Sequence, residues 1–320
     1  MLSFQQTVAD DLTAVNQLII KKLHSEVGLV EDIEEYIFSA GGKRLRPLVV
    51  LLTAKSLNYT GDKHHLLAVI VEFIHTASLL HDDVIDESEL RRGLKTVNIE
   101  WGNTPSILVG DFLLSRAFQM MVTIGSMEIM SILSNATNII SEGEVQQFVN
   151  TKNPDISEED YYTVIHKKTA VLFAAACEAA AVLNAATIQH RQQLKNYGYH
   201  LGMAFQLIDD MLDYSSDAEE IGKNIGDDLA EGKLTLPLIH AMKNGSKEQA
   251  ALIAASIREA NCDHLSHIIA ITRETGALEF TYQQAKYHAD KALSYLDSLA
   301  DSQYREAMVA LAEFSYSRTY

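Results

Sequence analysis

Six aspartates carry the most specific chemistry in this sequence. Asp82, Asp83 and Asp86 form an Asp-Asp-x-x-Asp pattern, and Asp209, Asp210 and Asp213 repeat it 127 positions later. Each trio closes an almost wholly apolar stretch, HLLAVIVEFIHTASLLHDDVIDE and YGYHLGMAFQLIDDMLDY. Asp82 and Asp86 are four residues apart, so on a helix both project from one face. Carboxylates at a helix C-terminus oppose the macrodipole and repel one another. A divalent cation removes that conflict, and magnesium takes carboxylate oxygens, waters and substrate phosphates together. Two such sets imply several magnesium ions clamped around one polyphosphate.

Basic residues gather near both trios. Gly41-Gly42-Lys43-Arg44-Leu45-Arg46-Pro47 reads as a glycine turn, a cationic segment and a proline in the first turn of a helix. Exposed N–H groups and cationic side chains together make an anion site. Arg91 and Arg92 directly follow the first trio, Lys167-Lys168-Thr169 precedes an alanine-rich run, and Lys223 and Lys233 flank Asp227-Asp228 after the second trio. The pattern fits two anionic groups, one bound through metal and one by direct cation contact.

The elements that must position these residues are helices. Apolar residues recur at three- and four-residue spacing (Leu66, Val69, Ile70, Phe73, Ile74, Ala77, Leu80), and only four prolines interrupt the 320 residues. Alternating strand patterns with Asn-Gly or Asp-Gly turns are absent, so the fold class is all-α, helices packed on helices. Local punctuation divides the chain into about ten helices. With no linker or repeat, one domain over 1–320 is expected: an N-terminal helical arm (1–37), a motif-bearing core (38–237) and a C-terminal helical scaffold (238–320).

Composition limits the function classes. With 47% hydrophobic and 22% charged residues the chain is globular, and 26 Lys+Arg against 43 Asp+Glu give a net charge of −17, a poor match to nucleic acid. Two cysteines exclude a disulfide framework and point to a reducing cytoplasm. The N-terminal residues show no secretory pattern. The nearest candidate for a spanning helix, 169–189, is alanine-rich and contains Glu178 and Asn184, so it reads as a buried helix.

The ordered motifs GGKRLRP, FIHTASLLHDDVIDESELRRG, GDFLLSRAF, EGEVQQ, KKTA, FQLIDDMLDY and GKNIGDDLAEGKLTLPL resemble the trans-isoprenyl diphosphate synthases, most closely the bacterial long-chain polyprenyl (octaprenyl-type) branch. The resemblance runs from about residue 38 to 237 and departs at no functional position. It implies an isoprenoid-synthase bundle with a central apolar cavity, and head-to-tail condensation of isopentenyl diphosphate onto an allylic diphosphate such as farnesyl diphosphate. Asp82, Asp86 and Asp209 would hold up to three magnesium ions on the allylic diphosphate, with Asp83, Asp210 and Asp213 as auxiliary groups. Arg91, Lys168 and Lys233 would contact the same diphosphate, and Lys223 belongs to the substrate-binding set. Lys43, Arg46, His75 and Arg92 would take isopentenyl diphosphate. Thr169 and Gln206 would point dipoles at the allylic cation, and departing pyrophosphate would accept the proton.

The residues four and five before Asp82 are Ser78 and Ala77, both small, so nothing there stops a tail growing along the helix. A helix of about 20 residues is roughly 30 Å long and can shelter a long prenyl chain. A product of about C40, serving quinone side chains, is expected, with Met120, Met121 and Phe118 as candidate floor residues. A homodimer formed through mid-chain helices, and transient membrane contact for release of the greasy product, are also expected. Alternatives are a shorter-chain farnesyl or geranylgeranyl synthase and an HD-type metal phosphohydrolase built on His81-Asp82. The latter leaves the second trio unexplained. A di-iron bundle needs a second Glu-x-x-His beside Glu72-Phe-Ile-His75, and none is present. An inactive regulatory subunit would have lost motif residues, and a terpene cyclase would not need the Lys43, Arg46 and His75 set.

Overall fold

The computed structural model describes residues 2–39, 41–215 and 225–317. Its contacts group the chain into two compact units, each assembled from separate segments. Unit 1 takes residues 1–137, 172–198 and 295–311, and unit 2 takes 138–171, 199–294 and 312–320. The described residues form seventeen α-helical segments, more than the ten or so that punctuation implies. Several of the extra ones are single turns, such as Ser3–Gln6, Val97–Glu100 and Asp227–Ala230, too short to show a helical period.

In unit 1 the chain runs through α1 (Ser3–Gln6), α2 (Ala9–Leu23), α3 (Gly28–Ser39), α4 (Leu45–Ser56) and α5 (Lys63–Ile85). A two-residue hairpin, β1 (Leu90–Arg91) and β2 (Leu94–Lys95), leads to α6 (Val97–Glu100) and α7 (Asn103–Ile124). Helix α5 is apolar all round and correspondingly buried, with Leu67 through Val71 and Phe73 at 0% exposure. Helix α7 lies against it: the Ser106 hydroxyl donates to the Leu80 carbonyl (2.9 Å), and a Cβ at Gly110 would overlap the His81 ring. The hairpin is the one strand pair among the described residues, and it turns on Arg-Gly rather than on Asn-Gly or Asp-Gly. Arg92 (φ 55) and Gly93 (φ 76) form its tight turn, where two-residue hairpins require positive φ.

Helix α2 is tied down by one carboxylate. Asp11 accepts from His64 Nε2 (3.0 Å), His65 Nε2 (2.8 Å) and the Lys55 ammonium (3.2 Å), all on the same oxygen. Burial opposes the ionised form, but these donors hold the Asp11 carboxyl below its usual range. The spacing of Asp11, His64 and His65 is compatible with a metal ion, but the Lys55 ammonium already supplies the counter-charge, making this an ion-paired clamp.

The chain continues through α8 (Met127–Asn150), α9 (Glu158–Ile165), a π-helical turn (His166–Ala170), α10 (Val171–Leu183) and α11 (Ile188–Leu212); of these, α8, α10 and α11 have residues in both units. The alanine-rich helix is the buried α10. Gly198 of α11 leaves no room for a Cβ, because the Phe173 carbonyl and Cys177 sulfur of α10 fill that space. Among the described residues, the helix long and apolar enough to cross a bilayer is α7, not the alanine-rich segment.

Unit 2 holds α9, α12 (Asp227–Ala230), α13 (Leu236–Asn244), α14 (Lys247–Glu259), α15 (Leu265–Glu274) and α16 (Ala277–Ser294), while α17 (Gln303–Ser317) again spans both units. A capping box between Ser157 and Asp160 starts α9. One core of unit 2 joins Tyr161, Ile165 and Ala170 to Met203, Leu207, Ile208 and Leu212, the inner face of α11. That packing fixes the helix end that carries the second aspartate trio.

Candidate active site

The first trio sits where α5 leaves the core of unit 1. Asp82 and Asp83 lie in its last turn and Asp86 caps it, its N–H donating to the Asp82 carbonyl (2.8 Å). Asp83 is 3% exposed and accepts from Arg91 through Nε (2.9 Å) and Nη2 (2.6 Å). Burial pushes the Asp83 carboxyl up, with Arg91 opposing. Asp82 and Asp86 are half-buried. Arg91, expected on the allylic diphosphate, thus has two of its guanidinium nitrogens committed to Asp83.

The predicted cationic turn closes on α5 about two turns earlier, at His75. Gly41 and Gly42 have positive φ, and Arg44, at φ 48, precedes α4, where Pro47 fits the first turn. Arg46 Nη1 lies 2.9 Å from His75 Nε2, with the Arg46 guanidinium 4.7 Å from the Phe173 ring centroid. A guanidinium only donates, so Nε2 of His75 must be the acceptor and Nδ1 carries its proton. Burial, then the charges of Arg46, Arg91, Arg92 and Arg44, push the His75 pKa well below its ordinary value. His75 is therefore a neutral imidazole among four guanidinium groups. Arg92 donates to the Gly41 carbonyl, and a Cβ at Gly42 would collide with its guanidinium. The Lys43 carbonyl accepts from Gln5 Nε2 (2.9 Å), tying the turn to α1. A pocket of about 50 Å³ is lined by Arg44, Glu72, His75, Asp83, Arg91 and Arg92. Arg44 and Glu72, to which the sequence motifs assign no substrate role, pair through their side chains at 2.5 Å.

Along α5, Ala77 is buried at 2% exposure, and the Ser78 hydroxyl donates to the His75 carbonyl (2.8 Å). Met120 and Met121 on α7 are buried, but Phe118 is 37% exposed and is no internal floor. Its i+4 neighbour Val122 is 66% exposed, so this face of α7 points outward.

The second trio sits at the end of α11 in unit 2. The main chain closes as in the first, with the Asp213 N–H donating to the Asp209 carbonyl (3.2 Å). Asp210, 4% exposed, accepts from the Tyr161 hydroxyl (2.5 Å) and Gln206 Nε2 (2.7 Å), and Gln206 Oε1 accepts from the Thr169 hydroxyl (2.7 Å). Thr169 and Gln206 are thus brought together, with both ends of the Gln206 amide engaged. Any dipole directed at a cation comes from the lone pairs left on Thr169 Oγ1 and Gln206 Oε1. Thr169 lies in the π-helical turn, where the local change of register helps set side-chain direction; such turns occur often at functional sites.

Asp213 accepts from the N–H groups of Asp227 (3.1 Å) and Asp228 (3.2 Å). Even so, burial and the charges of Asp227 and Asp210 push its carboxyl up to about 7. Asp228 is pushed well up by burial and then by Asp213 and Asp210. Lys168 pairs with Glu144 (2.6 Å) and Lys233 with Glu231 (2.5 Å), so each cation assigned to the diphosphate has a carboxylate partner here. Lys223 lies outside the described residues. Glu144 and Glu231 fall inside motifs already noted, whereas Tyr161 carried no local signal because its partner is 49 residues away.

Oxygen-only donors and carboxyls forced toward protonation are what a hard divalent cation relieves, so the residues fit magnesium. In unit 1, Asp82 and Asp86 offer the same donor type beside a middle carboxylate that Arg91 already neutralises.

A family model described as polyprenyl synthetase matches residues 27–272. The chain is 48% identical over 314 residues to octaprenyl diphosphate synthase of Escherichia coli (strain K12), covering 98% of this chain and 97% of that protein. It is 45% identical over 312 residues to the all-trans-nonaprenyl-diphosphate synthase (geranyl-diphosphate specific) of Rhodobacter capsulatus, with 97% and 96% covered. Its fold superposes with a TM-score of 0.96 on a polyprenyl synthase from Caulobacter crescentus CB15 complexed with calcium and isoprenyl diphosphate, at 41% identity and covering 99% and 97% of the two chains.

Proposed function

The chain belongs to the polyprenyl synthetase family, and on that premise we propose that it is a long-chain trans-polyprenyl diphosphate synthase. It is a prenyltransferase that joins isopentenyl diphosphate head-to-tail to an allylic diphosphate such as farnesyl diphosphate. The observation that carries this reading is the doubled aspartate trio, each closing a helix with its middle carboxylate buried and hydrogen-bonded.

Asp82, Asp86 and Asp209 would hold magnesium, up to three ions, with Asp83, Asp210 and Asp213 in support. When bound, magnesium neutralises charge developing on the departing pyrophosphate, the largest electrostatic contribution to the ionisation. Lys43, Arg46, His75 and Arg92 bind isopentenyl diphosphate, and the neutral His75 ring orients Arg46 without adding a charge of its own. Arg91, Lys168 and Lys233 contact the allylic diphosphate, with Lys223 in the wider substrate-binding set; Lys168 and Lys233 exchange Glu144 and Glu231 for it. Thr169 and Gln206 stabilise the allylic cation by their oxygen lone pairs, and the released pyrophosphate accepts the proton. Ala77 and Ser78 leave the tail path open toward a product of about C40 for quinone side chains. The octaprenyl and nonaprenyl names of the relatives support that length.

The apolar outer face of α7, with Ile107, Leu108, Phe118 and Val122 at 41, 60, 37 and 66% exposure, supports a homodimer formed through that helix. Both cysteines are free thiols, in keeping with a cytoplasmic site of action, with transient membrane contact as the product leaves. Incubation with labelled isopentenyl diphosphate, farnesyl diphosphate and magnesium, followed by sizing of dephosphorylated products, tests the whole reading. A ladder ending near C40 is expected, and products stopping at C15 or C20 assign the shorter-chain alternative.

A further inference from the structure

The pocket beside His75 contains an anion where a diphosphate is to bind. Glu72 precedes His75 by three residues on α5, so the two share a face, and both line the pocket. Its side chain is 6% exposed. Left to itself, this carboxylate would repel a diphosphate in a setting where burial strengthens the repulsion. Arg44 answers it: Nη1 lies 2.5 Å from Glu72 Oε1, and its own side chain is 14% exposed.

Arg44 is also the hinge of the cationic turn. It stands immediately after Lys43 and two residues before Arg46, with left-handed backbone (φ 48, ψ 41) at the entry to α4. Non-glycine residues adopt that conformation only when their surroundings hold them in it. Here the hold is visible. One guanidinium nitrogen takes Glu72, the other reaches the Phe38 carbonyl (3.5 Å), and the group lies 4.9 Å from the centroid of the Phe38 ring.

We propose that Arg44 and Glu72 form a positioning pair for isopentenyl diphosphate: Arg44 masks the Glu72 carboxylate inside the pocket, and the pair fixes the turn that presents Lys43 and Arg46. Neither residue touches reacting atoms. This inference rests on the assignment of Lys43, Arg46, His75 and Arg92 to isopentenyl diphosphate.

Steady-state kinetics on the full chain with labelled isopentenyl diphosphate, farnesyl diphosphate and magnesium test it. Arg44→Gln unmasks the carboxylate, and the KM for isopentenyl diphosphate should rise about tenfold or more, with kcat and the KM for farnesyl diphosphate within about threefold. Glu72→Gln should raise the same KM only a few-fold. The double variant should resemble Glu72→Gln and recover most of the Arg44→Gln loss, because the unmasked charge is gone. Additive losses, or equal changes in both KM values, overturn the proposal. If Arg44→Gln does not fold by circular dichroism, Arg44→Lys keeps the charge and loses the fork. A selective rise in the KM for isopentenyl diphosphate then supports the pair, and its absence overturns it. A wild-type chain that fails to consume isopentenyl diphosphate defeats the functional reading itself. Unchanged KM values in the variants of an active enzyme defeat only the pair.

Discussion

Asp83 and Asp210 occupy the same place in the same motif and are buried alike, at 3% and 4% exposure, yet their partners differ. Asp83 in unit 1 is held by the Arg91 guanidinium, whereas Asp210 in unit 2 is held by a phenol and an amide. The first trio therefore sets three carboxylates against one fixed cation. The second has its middle carboxylate held by neutral groups and stands next to Asp227 and Asp228, with Asp213 and Asp228 forced toward protonation. Identical spacing thus sits in unlike electrostatics: the middle carboxylate of one cluster is ion-paired, while that of the other is held by neutral donors.

The largest test removes the outer carboxylates. Asp82→Ala and Asp209→Ala should each lower kcat by about a thousandfold or more, with folding unchanged by circular dichroism. Near-normal magnesium-dependent turnover in either variant would sink the metal assignment. Losses differing by more than about a hundredfold would break the functional equivalence of the two trios.

The helices leading into the trios differ as well. The residues five and four before Asp82 are Ala77 and Ser78; before Asp209 they are Ala204 and Phe205, both buried. Ala77→Phe should shorten the product by several isoprene units on reversed-phase chromatography. Ala204→Phe should leave the length unchanged and instead cost about 1–3 kcal/mol by overpacking α11. An unchanged distribution in Ala77→Phe rules out the tail path along α5.

A smaller effect separates the two middle carboxylates. Asp83→Asn leaves Arg91 without its counter-charge. Because the Arg91 side chain is 40% exposed, the cost is about 1–3 kcal/mol rather than the 3–5 of a fully buried broken pair. Asp210→Asn can be absorbed, since Gln206 can turn its amide and the Thr169 hydroxyl can accept in place of donating. Its cost should stay within about 1 kcal/mol. Urea denaturation of the two variants measures the contrast, and the opposite order of costs would show that the difference in partners has no energetic weight.

These particulars also show what could be seen in the residues alone. The trios, the cationic turn and the histidine two turns before Asp82 were legible because each is a local pattern of residue type and spacing. Tyr161 against Asp210 and Arg44 against Glu72 were not, since such pairs form between segments 49 and 28 residues apart. The π-helical turn at His166–Ala170 has no composition of its own. Phe118 stood beside Met120 and Met121 as a candidate floor residue because helical spacing does not tell an inner face from an exposed one. The hairpin at Arg92-Gly93 was missed because its two-residue strands are too short for alternation. Lys168 and Lys233 were seen as cations but not as members of ion pairs with Glu144 and Glu231.

The smallest effect concerns how protons and magnesium compete at the second trio. The folded-state Asp213 pKa is raised from 3.8 to about 7, so between those values the folded chain binds more protons than the unfolded chain. Stability from this group is therefore present at low pH and declines as pH rises from about 4 through about 7. Magnesium favours the ionised form and so returns what deprotonation removes, adding stability by preferential binding to the folded state. The rise in Tm on replacing EDTA with millimolar magnesium should be larger at pH 8 than at pH 5 by a few degrees, roughly 1 kcal/mol or more for a chain of this size. Asp213→Asn removes the titration and should shrink that pH dependence, while Asp83→Asn in the partly neutralised trio should leave it in place. Differential scanning calorimetry in both buffers reads the result. Equal magnesium increments at the two pH values would show that the crowded carboxyls of unit 2 are not where the cation is felt most.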